Sequence, residues 1–104
     1  MTVFDDHAVE QALLELPGWE RHGDDIERTF THDDFHSAML FVGRVADAAE
    51  AVGRHPGITV RDNRVTLTLP SAGAGGLTSD DAALARRIQR LVGGHRHPPG
   101  LAGA

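Results

Sequence analysis

The residues best suited to proton chemistry stand where one helical pattern closes and another opens. Glu50 is followed, after three residues, by Arg54-His55-Pro56, and Asp81 stands three residues after Thr78. An imidazole titrates near neutral pH, so His55 is the side chain equipped to give and take a proton there. It lies between a helix-stopping glycine, Gly53, and a proline, where the chain must turn. A lone histidine is more often structural or solvated, and that reading stands beside the chemical one. Glu50 and Arg54 are spaced i,i+4 with the acid first, the favourable order for a surface ion pair on a helix. Thr78 and Asp81 have the spacing of a capping box, and an acid in a first turn suits the helix dipole. Each pair therefore has a structural explanation that needs no ligand.

Other groupings lead to less. Among seven histidines, His32 with His36 and His95 with His97 are close in sequence, but neither pair has a third ligand and a working zinc site needs at least three. No metal site is expected. Gly73, Gly75 and Gly76 lack the Lys-Ser/Thr and the spacing of a phosphate loop. With no cysteine, the chain has no disulfide or thiolate chemistry, which fits a reducing compartment. Ten Lys plus Arg against fifteen Asp plus Glu give a formal charge of −5, with no electrostatic footprint for a phosphate backbone, so direct nucleic-acid binding is not expected. No apolar run approaches a bilayer span, and Met1 to Asp6 does not read as a signal peptide. A soluble, cytoplasmic protein is expected.

The elements that position these residues follow from periodicity. Val9, Ala12, Leu13 and Leu16 predict a helix capped by Asp5 or Asp6 and ended by Pro17-Gly18. Trp19–His22 and Ile26–Thr31 read as strands around a turn at Gly23-Asp24-Asp25. A second helix begins near Asp33 and buries Phe35, Ala38, Phe41, Val42, Val45, Ala49 and Val52, with Gly53 as its stop. Ile58–Arg61 and Arg64–Leu69 alternate as a hairpin around Asp62-Asn63, with Asn63 suited to the positive φ of a tight turn. After Pro70 and a small-residue loop, Leu77 enters the core, and a third helix buries Leu84, Ile88 and Leu91 until Gly93-Gly94. The order predicts an α+β domain over residues 1–94: a four-stranded antiparallel sheet with three helices on one face. Residues 95–104 are expected to be a disordered tail. The sheet's edges need cover, and a dimer joining sheets supplies it.

Certain residues, taken in order, resemble a family. Leu16-Pro17-Gly18-Trp19, Arg28-Thr29-Phe30, Asp34-Phe35 with Ala38, Phe41-Val42, Val45-Ala46, Ala49-Glu50, His55-Pro56, Asn63 to Leu67, and Gly75 to Thr78 with Asp81, Leu84-Ala85 and Ile88 are similar to the pterin-4a-carbinolamine dehydratases. The likeness runs from about Val9 to Leu91, and its co-linearity is more specific than any one motif.

The resemblance implies the same helix and strand order, subunits joined through their sheets as dimers or tetramers, and no cofactor. It implies loss of water from a 4a-hydroxytetrahydropterin to give the quinonoid dihydropterin. The implied catalytic residues are His55, Asp81 and Glu50, and the implied substrate-binding positions are Arg54, Pro56 and Ala72. The chain departs from the family pattern at three places. Arg54 replaces the first histidine of a His-His-Pro, Ala72 replaces the loop histidine, and Asp62 replaces an aromatic in the hairpin. An arginine stays protonated near neutrality and cannot shuttle protons there. Weak or vestigial dehydration is one expectation. Another is a non-catalytic module with a protein partner, since relatives of this fold serve as a dimerisation cofactor for a transcription factor and as a RuBisCO assembly factor. A third is a pocket turned to an anionic heterocycle, with Arg54 supplying forked donors.

Overall fold

Two hairpins meet in the middle of one sheet. The computed structural model describes residues 3–70 and 76–95, so Ala72 and all but the first residue of the expected tail lie outside the described residues. The elements run α1 (Asp6–Leu14), β1 (Glu20–His22), β2 (Asp25–Thr31), α2 (Phe35–Val52), β3 (Gly57–Arg61), β4 (Arg64–Leu69) and α3 (Ser79–His95). All pairings are antiparallel, in the spatial order β1-β2-β4-β3. The α+β architecture expected from periodicity is the observed one.

Strand alternation separates the two faces. Ile26 and Phe30 on β2, with Val65, Leu67 and Leu69 on β4, are buried against Val9, Leu16, Ala38, Phe41, Val45, Leu84 and Ile88 in a single cluster. Burying each of the larger aliphatic side chains contributes about 1.5–3 kcal/mol. The opposite face is polar: the Thr29 and Thr66 hydroxyls share a hydrogen bond of 2.9 Å, and the Thr68 hydroxyl donates to Glu27 at 3.3 Å. Arg28, on the helix-covered side, lies 4.5 Å over the Phe30 ring and donates to Pro17 O and Gln89 Oε1. Its burial lowers the guanidinium pKa, and these partners satisfy it where water is scarce.

The caps select among the sequence alternatives. Asp5 begins α1 by accepting from Ala8 N at 2.8 Å, and Asp34 begins α2 by accepting from Ser37 N at 2.7 Å. That hydrogen bond holds the Asp34 carboxyl below its usual range, and an acceptor here satisfies one of the first-turn N–H groups. Gly53 ends α2 at φ 81°, in the left-handed conformation that glycine reaches without a Cβ clash.

Three expectations are corrected. Phe35 is 58% exposed, because at 100° per residue it projects about 90° from the centre of the stripe formed by Ala38, Phe41, Val45, Ala48 and Ala49. In the β3–β4 turn the positive φ falls on Asp62, at 52°, and not on Asn63. Asn63 is instead fastened to the end of β2: its Nδ2 donates to His32 O and its O accepts from His32 N, both at 2.8 Å. Finally, α3 continues through Gly93-Gly94 to His95. A glycine in a helix costs only about 1 kcal/mol and does not by itself stop one.

Candidate functional site

Glu50 and His55 come together because α2 stops between them. Gly53 N and Arg54 N both bond to Ala49 O, at 2.8 and 3.1 Å, which closes the last turn of α2. The chain then leaves the helix axis, and Arg54-His55-Pro56 form the lead into β3 at Gly57. The side chain of His55 folds back over the last turn, where its Nε2 donates to Glu50 Oε2 at 2.7 Å. A carboxylate only accepts, so the partnered nitrogen carries the proton and Nδ1 is left as the basic atom of the neutral ring. Both side chains are open to solvent, His55 at 71% and Glu50 at 74%. A substrate can reach this pair directly.

Arg54 turns the other way. Its Nε donates to Asp81 Oδ1 at 2.9 Å and its Nη2 to Oδ2 at 3.4 Å. Asp81 is buried, and Oδ2 also accepts from Thr78 N and from Thr78 Oγ1, each at 2.9 Å. Asp81 N completes the cap by donating to Thr78 Oγ1 at 3.4 Å. The capping box read from sequence is present, with Asp81 as its acid. The surface pair expected between Glu50 and Arg54 is not: i,i+4 spacing places two side chains on one face only if the helix continues, and Gly53 ends it one residue too early.

The structure thus sorts the candidate residues into two adjacent pairs, His55 with Glu50 and Arg54 with Asp81. Pro56 is half-buried beside them, and Ala72 is outside the described residues. The tether from Arg54 to the start of α3 was not readable from the chain, because its partners lie 27 residues apart with no helical or strand spacing to relate them. Among the described residues no three histidines, aspartates or glutamates gather as a metal centre.

A second histidine sits in a contrasting environment. His32 lines a cleft of about 640 Å³ with Thr31, Ser37, Leu40, Phe41 and Arg44, and its ring lies 4.8 Å from that of Phe41. Its Nε2 is buried with no partner among the described residues. Burial lowers its pKa below 6.5, against a smaller opposing pull from Asp33. The unfolded chain therefore takes up this proton first. Stability from the neutral ring is complete above pH 6.5 and declines as pH falls below it. Urea denaturation at pH 7.5 and 5.5 is expected to show a larger loss on acidification in the natural protein than in His32→Gln. Equal losses would assign the effect to other groups.

Comparison with known proteins places this arrangement in context. A family model described as "Pterin 4 alpha carbinolamine dehydratase" matches residues 2–91. A Thermomicrobium roseum protein named "Putative pterin-4-alpha-carbinolamine dehydratase" is 48% identical over 92 residues, spanning 88% of this chain and 99% of its own length. A protein of the same name from Nocardia farcinica is 47% identical over 87 residues, covering 84% of this chain and 92% of itself. Of the solved structures, a transcriptional coactivator/pterin dehydratase from Brucella melitensis superposes with a TM-score of 0.81 at 29% identity, over 86% of this chain and 98% of that one. A pterin dehydratase-like protein identified as a RuBisCO assembly factor in the alpha-carboxysome gives a TM-score of 0.62 at 25% identity, over 73% and 90% of the two chains.

Proposed function

The chain belongs to the pterin 4 alpha carbinolamine dehydratase family, and from that premise we propose that it dehydrates a 4a-hydroxytetrahydropterin with His55 as its proton-transfer group. The observation that carries this reading is the 2.7 Å hydrogen bond between His55 Nε2 and Glu50. The reaction breaks the C4a–O bond, with the oxygen leaving as water after protonation. Loss of the N5 proton completes the C4a–N5 double bond of the quinonoid product. One imidazole serves both transfers by accepting at Nδ1 from N5 and returning a proton toward the departing hydroxyl. Glu50 fixes the ring's tautomer and stabilises the imidazolium that forms between the two transfers.

In this reading Asp81 is a positioning residue, since its two oxygens are already engaged by Thr78 and Arg54. Arg54 and Pro56 set the course of the segment that carries His55. A pterin is the small-molecule partner. The exposed edge strand β3, with Ile58 at 38% exposure, supports pairing of sheets in a homodimer. No described helix is long and apolar enough to cross a membrane, and the cysteine-free composition supports a cytoplasmic setting.

The test generates the 4a-hydroxytetrahydropterin in situ with an aromatic amino acid hydroxylase and follows quinonoid dihydropterin formation with and without this protein. Acceleration above the spontaneous rate is expected. Its absence would favour a second reading, a non-catalytic binding or assembly module on the same scaffold. The likeness to the RuBisCO assembly factor supports that alternative, as does Arg54 at the position of a family histidine. Recovery of a stoichiometric protein partner from the native host would then be expected.

A further inference from the structure

We infer that a second site, separate from the His55 pair, binds a small multivalent oxyanion in the cleft between α2 and α3. This cleft has a volume of about 440 Å³ and is lined by Arg44, Asp47 and Ala48 from α2 and by Arg87, Arg90 and Leu91 from α3. Its volume lies within the range of small-molecule sites. Rising 1.5 Å per residue, α3 carries Arg87 about 9 Å and Arg90 about 14 Å beyond Asp81, so the cleft lies away from the candidate dehydratase site.

The charge arrangement is what points to an anion. The chain carries five more acids than bases, yet this cleft is lined by Arg87 and Arg90 on α3, with Arg44 and a single carboxylate, Asp47, on α2. Arg87 and Arg90 are a like-charge i,i+3 pair, a spacing that is unfavourable on a helix unless something relieves it. Among the described residues no ion pair involves Arg87 or Arg90. A guanidinium presents its donors as a planar fork matched to phosphate or carboxylate oxygens. Two such forks on adjacent turns can hold two oxyanion groups, or two faces of one. Ala48 and Leu91 add an apolar floor, which suits a ligand with a carbon skeleton beside its charged groups, such as a phosphate ester or a dicarboxylate.

The proposal rests on these helix positions and not on turnover, so it stands or falls apart from the dehydratase reading. Inorganic pyrophosphate is the probe, titrated into the full chain in low-salt buffer and followed by ¹H–¹⁵N NMR. The expected result is saturable shifts centred on Arg87, Arg90 and Leu91, with affinity falling as salt is added because the groups are exposed. Arg87→Gln/Arg90→Gln is expected to weaken binding by about tenfold or more, the scale of lost charged hydrogen bonds. Arg61→Gln/Arg64→Gln removes the same net charge from the β3–β4 hairpin and is expected to leave binding within about twofold, since only distant charge is lost. Equal weakening by the two variants, or shifts centred elsewhere, would reduce the effect to overall charge and overturn the site. Tighter competition by a hexaglutamate peptide than by pyrophosphate would overturn the small-anion assignment in favour of an acidic protein segment. Should the double variant lose its folded spectrum, Arg90→Gln alone carries the same comparison.

Discussion

His55→Ala is expected to abolish acceleration of 4a-hydroxytetrahydropterin dehydration, lowering the catalysed rate by about 10²–10⁴, the contribution of a positioned acid or base. The size of the effect follows from the proposed assignment of both proton transfers to one imidazole, with Arg54 and Ala72 unable to take either. Stability is expected to change little, because the side chain is 71% exposed and bonded only to an equally exposed carboxylate. Glu50→Gln keeps a hydrogen-bond acceptor but not the charge, so a smaller rate loss and a displaced pH profile are expected. The decisive comparison is the initial rate of quinonoid product at equal enzyme concentration, with thermal melts run alongside. An unchanged rate in His55→Ala would remove the residue from the chemistry.

Asp81→Ala acts on the fold. This buried carboxylate receives two donors from Thr78 and two from Arg54, so its removal strips the N-terminal cap of α3 and leaves a mostly buried guanidinium without its counter-charge. Breaking a buried ion pair from one side costs about 3–5 kcal/mol, a large part of the roughly 5–15 kcal/mol that holds a typical domain together. A substantially lower urea midpoint is expected. Arg54→Ala is expected to destabilise as well, and the double variant by less than the two singles added, because the second change removes a group already stranded. Strict additivity in that cycle would mean that the Arg54–Asp81 contact contributes nothing to stability. Near-normal stability of Asp81→Ala would mean that the cap is supplied elsewhere.

Much of the architecture was legible because it rests on local patterns. Alternation at Val65, Leu67 and Leu69 gave β4 its buried face, and the spacing of Leu84 and Ile88 gave α3 its own. Thr78 and Asp81 could be paired from their spacing, and Gly53 could be placed as a helix stop. What escaped was settled by geometry between elements. Phe35 belongs to an apolar pattern yet faces outward by rotation around α2. Asn63 has the right chemistry for a positive φ, but its amide is held by His32, and the neighbouring Asp62 takes the strained conformation. The candidate site divides along the same line. The partners of His55 and Arg54 depend on how sharply the chain departs from α2, a direction that residue spacing does not encode.

The strand order carries a consequence for how this protein is made. β2 and β4 form the centre of the sheet, registered from Thr31 with Arg64 to Ile26 with Leu69, across the whole of α2 and β3. A hairpin from either half alone has no covered face, and two-stranded ribbons are marginal in water. The entropy of closing that long connection is spent before the central pairing repays it, and topologies of this kind fold slowly for that reason. During synthesis the nascent chain therefore has no stable halfway stage: β4, and then α3 to seal the apolar layer, must leave the ribosome first. The carboxylate at the head of α3 that anchors Arg54 is among the last residues of the domain to emerge. The segment bearing His55 is consequently fixed only at the end of folding, and a chain stalled short of α3 presents the apolar face of the sheet to chaperones and proteases.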